Sequence, residues 1–146
     1  MNILDFGAKR GAFCGDAIQR AIDAAAAQGG GRVSVPAGEY ETASLILRSN
    51  VELHLEAGAV LRFVDDFDAY PVVNIRWEGY EQPCHRPLVY AKNEVNVALT
   101  GLGTLEGQGQ KWWTAFRAKT LSPHRRNIRQ TSDGKRHTAC RSAPED

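Results

Sequence analysis

A chain of 146 residues, 42% hydrophobic and 24% charged, has the length and composition of one ordinary soluble domain with an apolar core. No stretch approaches the roughly 18 consecutive apolar residues of a membrane-spanning helix, which argues against a membrane partner. The formal net charge of +1 conceals two different segments, because residues 1–116 carry 10 basic and 14 acidic side chains whereas residues 117–146 carry 8 and 3.

The start of the chain and its cysteines bear on the cellular compartment. Met1 runs directly into NILDFG, without a basic segment that leads into an apolar one, so no signal peptide is visible and a cytoplasmic location is expected as written. An incomplete N-terminus would instead fit a secreted or periplasmic protein. Cys14, Cys84 and Cys140 are widely spaced, which predicts neither a disulfide framework nor a structural metal site.

The first regular element predicted along the chain is an amphipathic helix over residues 16–28. Asp16 suits the N-cap position and Gln19 follows three residues later, as in a capping box. The glycines at 29–31 end the helix. One face of the helix is apolar at helical spacing, with Ile18, Ala21, Ile22 and Ala25. We expect this helix to cover the open end of a stack of strands, where it would hide both core and strand edges.

The stack itself is predicted from a repeat of 44 residues. Residues 93–113 alternate apolar and polar side chains and then carry four glycines, a pattern typical of short strands joined by tight bends. The same pattern occurs 44 residues earlier, and further strands are expected at 32–36, 44–47 and 50–55. The sequence thus favours a parallel β-solenoid over two unrelated half-buried strands. The side chains expected to point inward are Val51, Leu53, Leu55, Val95, Val97 and Leu99.

An insertion over residues 63–86 interrupts the repeat and is rich in aromatic and charged residues without a sustained period. Long insertions between coils belong on the surface, where they can wall a binding face. Its acidic run, Asp65, Asp66 and Asp68, lacks the rest of a calcium loop and is interpreted as turn-forming, in preference to catalytic. Arg76, Trp77 and His85 are the candidate substrate-binding residues, because arginine pairs with carboxylates and tryptophan stacks on sugar rings. The alternative is that Trp77 packs the insertion onto the solenoid.

The segment from residue 118 to 146 differs in character from the patterned region 1–117. It is basic, contains few apolar residues and shows neither structural period, which predicts a disordered tail. A nucleic-acid patch is the alternative, but no aromatic residues are interleaved with the basic ones, so no nucleic-acid partner is expected. The predicted organisation is one domain over 1–117 and a tail over 118–146.

Several phrases in order resemble the N-terminal region of glycoside hydrolase family 28, the polygalacturonases and related pectin hydrolases. They cover residues 2–116 and read ILDFGAK (3–9), GGGRVSVPAGEY (29–40), SNVELHLEAGA (49–59), RWEG (76–79), PLVYA (87–91) and GLGTLEGQG (101–109), followed by Trp112 and Trp113. The resemblance implies an all-β, right-handed parallel β-helix of the pectin-lyase-like kind, begun by a capping α-helix. It also implies hydrolysis of α-1,4-galacturonosyl bonds without metal or organic cofactor, and a pectic polysaccharide or oligogalacturonide as the partner.

The catalytic stretches of that family are absent from this sequence. An Asn-Thr-Asp, an Asp-Asp pair in the right context, a Gly-His-Gly and an Arg-Ile-Lys do not occur, and Asp65-Asp66 precedes the glycine-rich coil that the pair should follow. Inverting hydrolysis needs two carboxylates held roughly 6.5–9.5 Å apart, whereas Glu52, Glu56 and Glu106 stand singly in the strands. We therefore nominate no catalytic residue and expect a truncated, inactive polygalacturonase-like chain. The alternatives are a non-catalytic module that binds anionic polysaccharide and a fragment of another pectate-lyase-like enzyme.

Overall fold

The computed structural model describes residues 1–77 and 79–118. Short 3-10 segments span Ile3–Phe6 and Phe67–Ala69, and the two helices of these ranges are α1 (Gly15–Ala27) and α2 (Gln110–Arg117). The strands are β1 (Gly31–Val35), β2 (Gly38–Thr42), β3 (Leu45–Ile46), β4 (Val51–Leu55), β5 (Ala59–Phe63), β6 (Val72–Trp77), β7 (Tyr80–His85), β8 (Val89–Tyr90), β9 (Ala98–Gly101) and β10 (Thr104–Glu106).

Most of the strands form three parallel sheets, to which the chain adds one strand per turn. The first sheet has the order β1-β4-β9, the second has the order β2-β5-β10, and the third pairs β3 with β8. Val33 lies opposite Leu53 and Tyr40 lies opposite Leu61, so equivalent strands of the first and second turns are 20 to 21 residues apart. The predicted stacking of short parallel strands is confirmed.

The 44-residue repeat consists of one such turn plus an insertion between β5 and β8. Leu45 lies opposite Val89, and Leu61 lies opposite Leu105, both 44 residues apart as the sequence alignment predicts. The shorter repeat of the first turn is hard to find in the sequence, because its strands share only the spacing of apolar residues. The 44-residue period of the sequence is therefore the length of one turn plus the length of the insertion.

Strand β9 departs from the predicted alignment by two residues. Leu99 lies opposite Leu53, and Gly101 lies opposite Leu55, so the spacing in the first sheet is 46 residues. The additional residues lie in the corner before β9. Val95 lies in that corner and is 62% exposed, so its expected inward position is wrong.

Alternation along β4 follows the prediction. Val51, Leu53 and Leu55 are at most 3% exposed, whereas Glu52 between them is only half-buried. Leu99 shares the inner face with Leu53 because parallel neighbours in register point to the same side. It is nevertheless 43% exposed, because β9 is the edge strand of its sheet among the described residues.

Helix α1 buries the predicted apolar face but begins differently from the prediction. Ile18, Ala21 and Ile22 are fully buried in the core. The N-cap residue is Cys14, which makes no capping bond, and Asp16 lies inside the first turn, so the predicted capping box is wrong. The Cys14 sulfur instead donates to the carbonyl oxygen of Lys9, 3.0 Å away, and accepts from its amide at 3.2 Å.

Gln19, expected in the capping box, instead completes the edge of a sheet. Its side-chain amide nitrogen donates to the carbonyl oxygen of Ile46, and its side-chain oxygen accepts from the Ile46 amide, each over 2.9 Å. The side chain thus occupies the place of a neighbouring strand on the side of β3 that faces away from β8. This satisfies two main-chain groups that an edge strand would leave open.

Replacement of Gln19 by alanine should therefore lower the free energy of unfolding by about 1–3 kcal/mol, because it leaves both Ile46 groups without their partners. Urea denaturation followed by circular dichroism measures the loss. Asp16→Ala is the control, since Asp16 is exposed and caps nothing, and it should shift the midpoint much less. A larger effect at Asp16 than at Gln19 would restore the capping-box interpretation.

The insertion contains regular structure that the sequence did not predict. Strands β6 and β7 form an antiparallel hairpin with six residue pairs, and Gly79, which precedes β7, has a φ of +89°. Asn74 lies opposite Pro83 in the middle of this hairpin, and the pair breaks the apolar alternation that signals strands. The turn-forming interpretation of Asp66 is confirmed, because its side chain accepts from the amide of Asp68 at 3.1 Å.

Other predictions fall partly outside the described ranges. Helix α2 reaches Arg117, and residues 119–146 lie outside the described part, so the domain boundary and the tail remain predictions. Cys14 and Cys84 are free thiols, and Cys140 also lies outside. Among residues 1–77 and 79–118, no helix is long and apolar enough to cross a membrane.

Candidate functional site

The three predicted substrate-binding residues do not form one site. Arg76 and Trp77 lie at the end of β6 beside the hairpin turn, and as consecutive strand residues they point to opposite faces. His85 lies at the other end of β7, opposite Val72. Five residue steps of about 3.4 Å separate the two ends, a distance of roughly 17 Å. His85 alone therefore belongs to the concave surface at the base of the hairpin.

That base borders a cavity of about 440 Å³. The hairpin contributes one wall, the start of β8 another, and the loop 107–109 with helix α2 a third. Side chains that line it are Tyr70, His85, Arg86, Leu88, Gln108 and Trp112. The mixture of aromatic walls with a few polar groups is typical of sites for small ligands. We consider this hairpin-base cavity the candidate functional site.

Trp112 is held at this cavity by an aromatic cluster. Its ring packs edge to face against Phe67, Tyr70 and His85, with centroid separations of 4.6, 5.1 and 5.4 Å. Contacts of this kind each add about 0.5–1.5 kcal/mol to simple burial. The indole nitrogen is buried and has no acceptor among the described residues. Position and tilt of the Trp112 ring are therefore fixed by its neighbours.

Tyr70 and His85 are joined through the main chain. The Tyr70 hydroxyl donates to the carbonyl oxygen of Val64 at 2.7 Å, and burial, with the negative charges of Asp65 and Asp66, raises the pKa of Tyr70 to about 12. The Tyr70 carbonyl oxygen lies 2.9 Å from Nδ1 of His85. A carbonyl can only accept, so Nδ1 carries a hydrogen, and Nε2 of a neutral His85 is left as an acceptor.

Arg86 is anchored at both ends, and the sequence analysis did not select it. Its amide donates to the carbonyl oxygen of Pro71 at 2.8 Å, and its Nε donates to Oγ of Ser44 at 2.8 Å. The Ser44 hydroxyl in turn donates to the carbonyl oxygen of Pro87 at 2.5 Å. The terminal nitrogens of the guanidinium have no hydrogen-bond or ion-pair partner among the described residues. Arg86 thus presents a positioned donor pair to the cavity.

A second cavity of about 340 Å³ lies on the other side of the loop 107–109 and has the opposite chemistry. It is lined by Asp65, Glu106, Gln108 and Lys111, among others. Glu106 forms an ion pair with Arg62 at 2.9 Å, and this contact is the main cause that raises the pKa of Arg62. Glu106 is therefore bound to a cation on the neighbouring strand β5.

Two further carboxylates, Glu52 of β4 and Glu94 of the corner before β9, are also engaged. Glu52 accepts from Arg32 at 2.9 Å and from Thr100 at 2.6 Å, and these hydrogen bonds lower the pKa of Glu52. Glu94 accepts from both the hydroxyl and the amide of Ser49, which lowers the pKa of Glu94. Groups of three or more potential metal ligands do not occur among the described residues.

The site was only partly visible in the sequence. His85 was selected, but Arg86, its immediate neighbour, was passed over although it has the more suitable chemistry. Trp112 belonged to a recognised pair of tryptophans without an assigned role. Gln108 lines both cavities, and its φ of +44° is unusual for a residue with a side chain. This backbone conformation distinguishes the loop that separates the two cavities.

The sequence of the chain is similar to those of several known proteins. No family model matches the chain. An exo-poly-α-D-galacturonosidase of Dickeya chrysanthemi is 34% identical in an alignment of 126 residues that covers 76% of this chain and 20% of that protein. A probable polygalacturonase of Vitis vinifera is 33% identical in an alignment of 100 residues that covers 64% of this chain and 20% of that protein. The chain spans about a fifth of the length of these curated relatives.

Solved structures agree with the sequence relatives. An exopolygalacturonase of Thermotoga maritima superimposes with a TM-score of 0.74 at 39% identity, over 85% of this chain and 29% of that one. A family 28 exopolygalacturonase of Yersinia enterocolitica gives 0.63 at 33% identity, over 73% of this chain and 20% of that one. A shorter segment, 46% of this chain, is 42% identical to 9% of alginate lyase 7 of Azotobacter vinelandii.

The stacked parallel strands and these similarities relate the chain to a class of enzymes that act on polysaccharides and are built from turns of short parallel strands. Within that class, the resemblance to glycoside hydrolase family 28 is confirmed, and the chain is a relative of its polygalacturonases.

Proposed function

We propose that this chain forms the first coils of a right-handed parallel β-helix of the polygalacturonase type, and that the whole protein hydrolyses α-1,4-galacturonosyl bonds in pectin. The observation that carries the proposal is the fit of the stacked sheets to an exopolygalacturonase over most of the chain. Helix α1 supports the assignment of the first coil, because it packs against β1, β3 and β4 and satisfies the free edge of β3 through Gln19.

The described coils supply contacts and scaffold in this proposal, and the catalytic pair comes from outside them. Glu52 and Glu106 are engaged by Arg32 and Arg62, so neither is a free carboxylate opposite another. Inversion needs one protonated carboxyl and one ionised carboxylate with room for water between them. Glu52 and Glu106, each bound to an arginine, do not provide such a pair.

Purified chain should therefore release no reducing ends from polygalacturonate above a buffer blank, even at high protein concentration and long incubation. A reducing-sugar assay measures this, with Glu106→Gln as the matched variant because Glu106 borders the acidic cavity. Turnover that survives repurification and disappears in Glu106→Gln would show that Glu106 is catalytic, and the proposal for this stretch would then be wrong.

A second candidate function is non-catalytic binding of anionic polysaccharide through the hairpin tip. Trp77 is 56% exposed and lies opposite Tyr80, which is 69% exposed, so neither ring serves to pack the hairpin onto the sheets. Exposed aromatic rings at the hairpin tip suit the sugar rings of a polymer. Retention on immobilised polygalacturonate that is lost in Trp77→Ala, without release of reducing ends, would favour this function.

The similarity to an alginate lyase favours a third candidate, another enzyme that acts on uronic-acid polymers. It differs from the leading proposal in the polymer, because alginate consists of mannuronate and guluronate. Comparison of alginate with polygalacturonate as ligand for the chain separates the two candidates.

A further inference from the structure

We propose that the hairpin-base cavity binds a single uronate residue, with Arg86 paired to its carboxylate and Trp112 against its ring. The proposal rests on the proposed function only for the identity of the uronic acid. The volume of about 440 Å³ lies near the lower end of the roughly 300–1,000 Å³ typical of small-ligand sites. A cavity of this size suits a sugar unit or two and not a long stretch of polymer.

Charge complementarity selects an acidic sugar. Of the described residues, Arg86 is the only lysine or arginine that lines this cavity, and none of them that lines it is aspartate or glutamate. Because Nε is bound to Ser44, the guanidinium plane is held while its terminal nitrogens remain available. Such a fork matches a carboxylate through two parallel hydrogen bonds, which is stronger and more directional than a single contact.

The remaining walls suit the rest of a sugar. His85 offers Nε2 as an acceptor for a sugar hydroxyl, because its Nδ1 is already bound to the carbonyl of Tyr70. Trp112, fixed by its aromatic neighbours, provides apolar surface for the carbon–hydrogen groups of the ring. A uronate thus meets a cation, an acceptor and an apolar wall, each positioned before the ligand arrives.

The acidic cavity across the loop 107–109 provides an internal contrast. Asp65 and Glu106 line it together with a single cation, Lys111, so a uronate there would meet two carboxylates beside one ammonium group. Two cavities share Gln108 as a wall but differ in sign, and only the hairpin-base cavity carries an arginine with free terminal nitrogens. A uronate carboxylate therefore meets less negative charge in the hairpin-base cavity than in the acidic one.

The test uses the full chain with Trp112 as the only tryptophan. Trp77→Phe and Trp113→Phe remove the other two, both of them exposed. Titration with trigalacturonate should change the Trp112 emission and saturate. Arg86→Gln should weaken the apparent affinity at least tenfold, whereas Arg20→Gln, the same change at an exposed residue of α1, should leave it within about twofold. Circular dichroism confirms that each variant is folded.

A change in the ligand repeats the test without altering the protein. The methyl ester of trigalacturonate lacks the carboxylate charges and should bind at least tenfold more weakly, as should a neutral galactose trimer. Equal binding of acid and ester, or saturation without a change in Trp112 emission, would overturn the site. Inorganic phosphate is the other anion that Arg86 could pair with, and phosphate that binds as tightly as trigalacturonate would also overturn the assignment to a sugar.

The outcomes separate this inference from the proposed function. Mannuronate oligomers that bind the Arg86 cavity more tightly than trigalacturonate would leave the uronate site standing and contradict the polygalacturonase proposal. Trigalacturonate that binds the chain with equal affinity in Arg86→Gln would do the reverse, since the substrate would be right and the site wrong.

Discussion

Replacement of Leu53 by aspartate is expected to unfold the chain. Leu53 is fully buried in β4, the middle strand of the first sheet, between Val33 of β1 and Leu99 of β9. The substitution removes a large apolar side chain and places a charge in the apolar core. The cost is about 4 kcal/mol or more, a large share of the roughly 5–15 kcal/mol that stabilises a typical domain.

The matched control for this substitution is Leu102→Asp. Leu102 is 84% exposed, so the same chemical change there should leave the thermal midpoint within a few degrees of the wild type. Thermal unfolding by circular dichroism compares the two variants directly. A folded Leu53→Asp protein with an unchanged midpoint would mean that the sheet register is shifted by one residue, because Leu53 would then face solvent.

The second large effect is expected for Gly101→Ala, which should detach the third turn from the second. Gly101 has a φ of +106°, and a methyl group at this position would overlap the carbonyl oxygen of Leu55. That carbonyl also accepts from the amides of Leu102 and Gly103, so it cannot move without the loss of two hydrogen bonds. Backbone strain and overpacking together cost about 2–6 kcal/mol.

Gly109→Ala tests whether this loss is specific. Gly109 has a helical φ of −69° and no atom within 4 Å of an added methyl group, so alanine there should be neutral or slightly stabilising. Hydrogen exchange measured by amide NMR should show faster exchange in β9 and β10 of Gly101→Ala while α1 and β1 remain protected. Unchanged protection of β9 would contradict the close approach of Gly101 to Leu55.

Parts of the fold that depend on local periodicity were predictable from the sequence. The buried face of α1 and the alternation in β4 follow directly from spacing, and so does the 44-residue match of Leu61 with Leu105. The two-residue shift at β9 was not predictable in this way. It arises at a corner where Asn50 and Asn96 both adopt positive φ and bond to one another at 2.9 Å, which a periodic pattern does not encode.

The hairpin and the helix start were missed for a related reason, since each is decided by contacts with distant residues. Gln19 has a better partner in Ile46, 27 residues away, than in its own helix. The Asn74–Pro83 pair interrupts the apolar alternation of β6 and β7, so the sequence pattern does not predict this regular hairpin.

The candidate site shows the same division. Chemical type alone suggested Arg76, Trp77 and His85, but only the three-dimensional arrangement shows that Arg76 lies at the wrong end of the hairpin. The Arg86 guanidinium is held in place by a hydrogen bond to Ser44, which is 42 residues away in the sequence. Long-range anchoring of this kind leaves no local signature.

The placement of the hairpin has a consequence for how such proteins diversify. It enters the chain between β5 and β8, yet the ladders on either side keep their pairing, with Leu45 opposite Val89 and Leu61 opposite Leu105. A surface element at this junction can therefore be lengthened, exchanged or deleted during evolution without a change in the strand pairing of the core. Ligand preference is free to drift by insertion alone while the scaffold is inherited intact, and the same junction is a natural graft point for an engineered recognition loop.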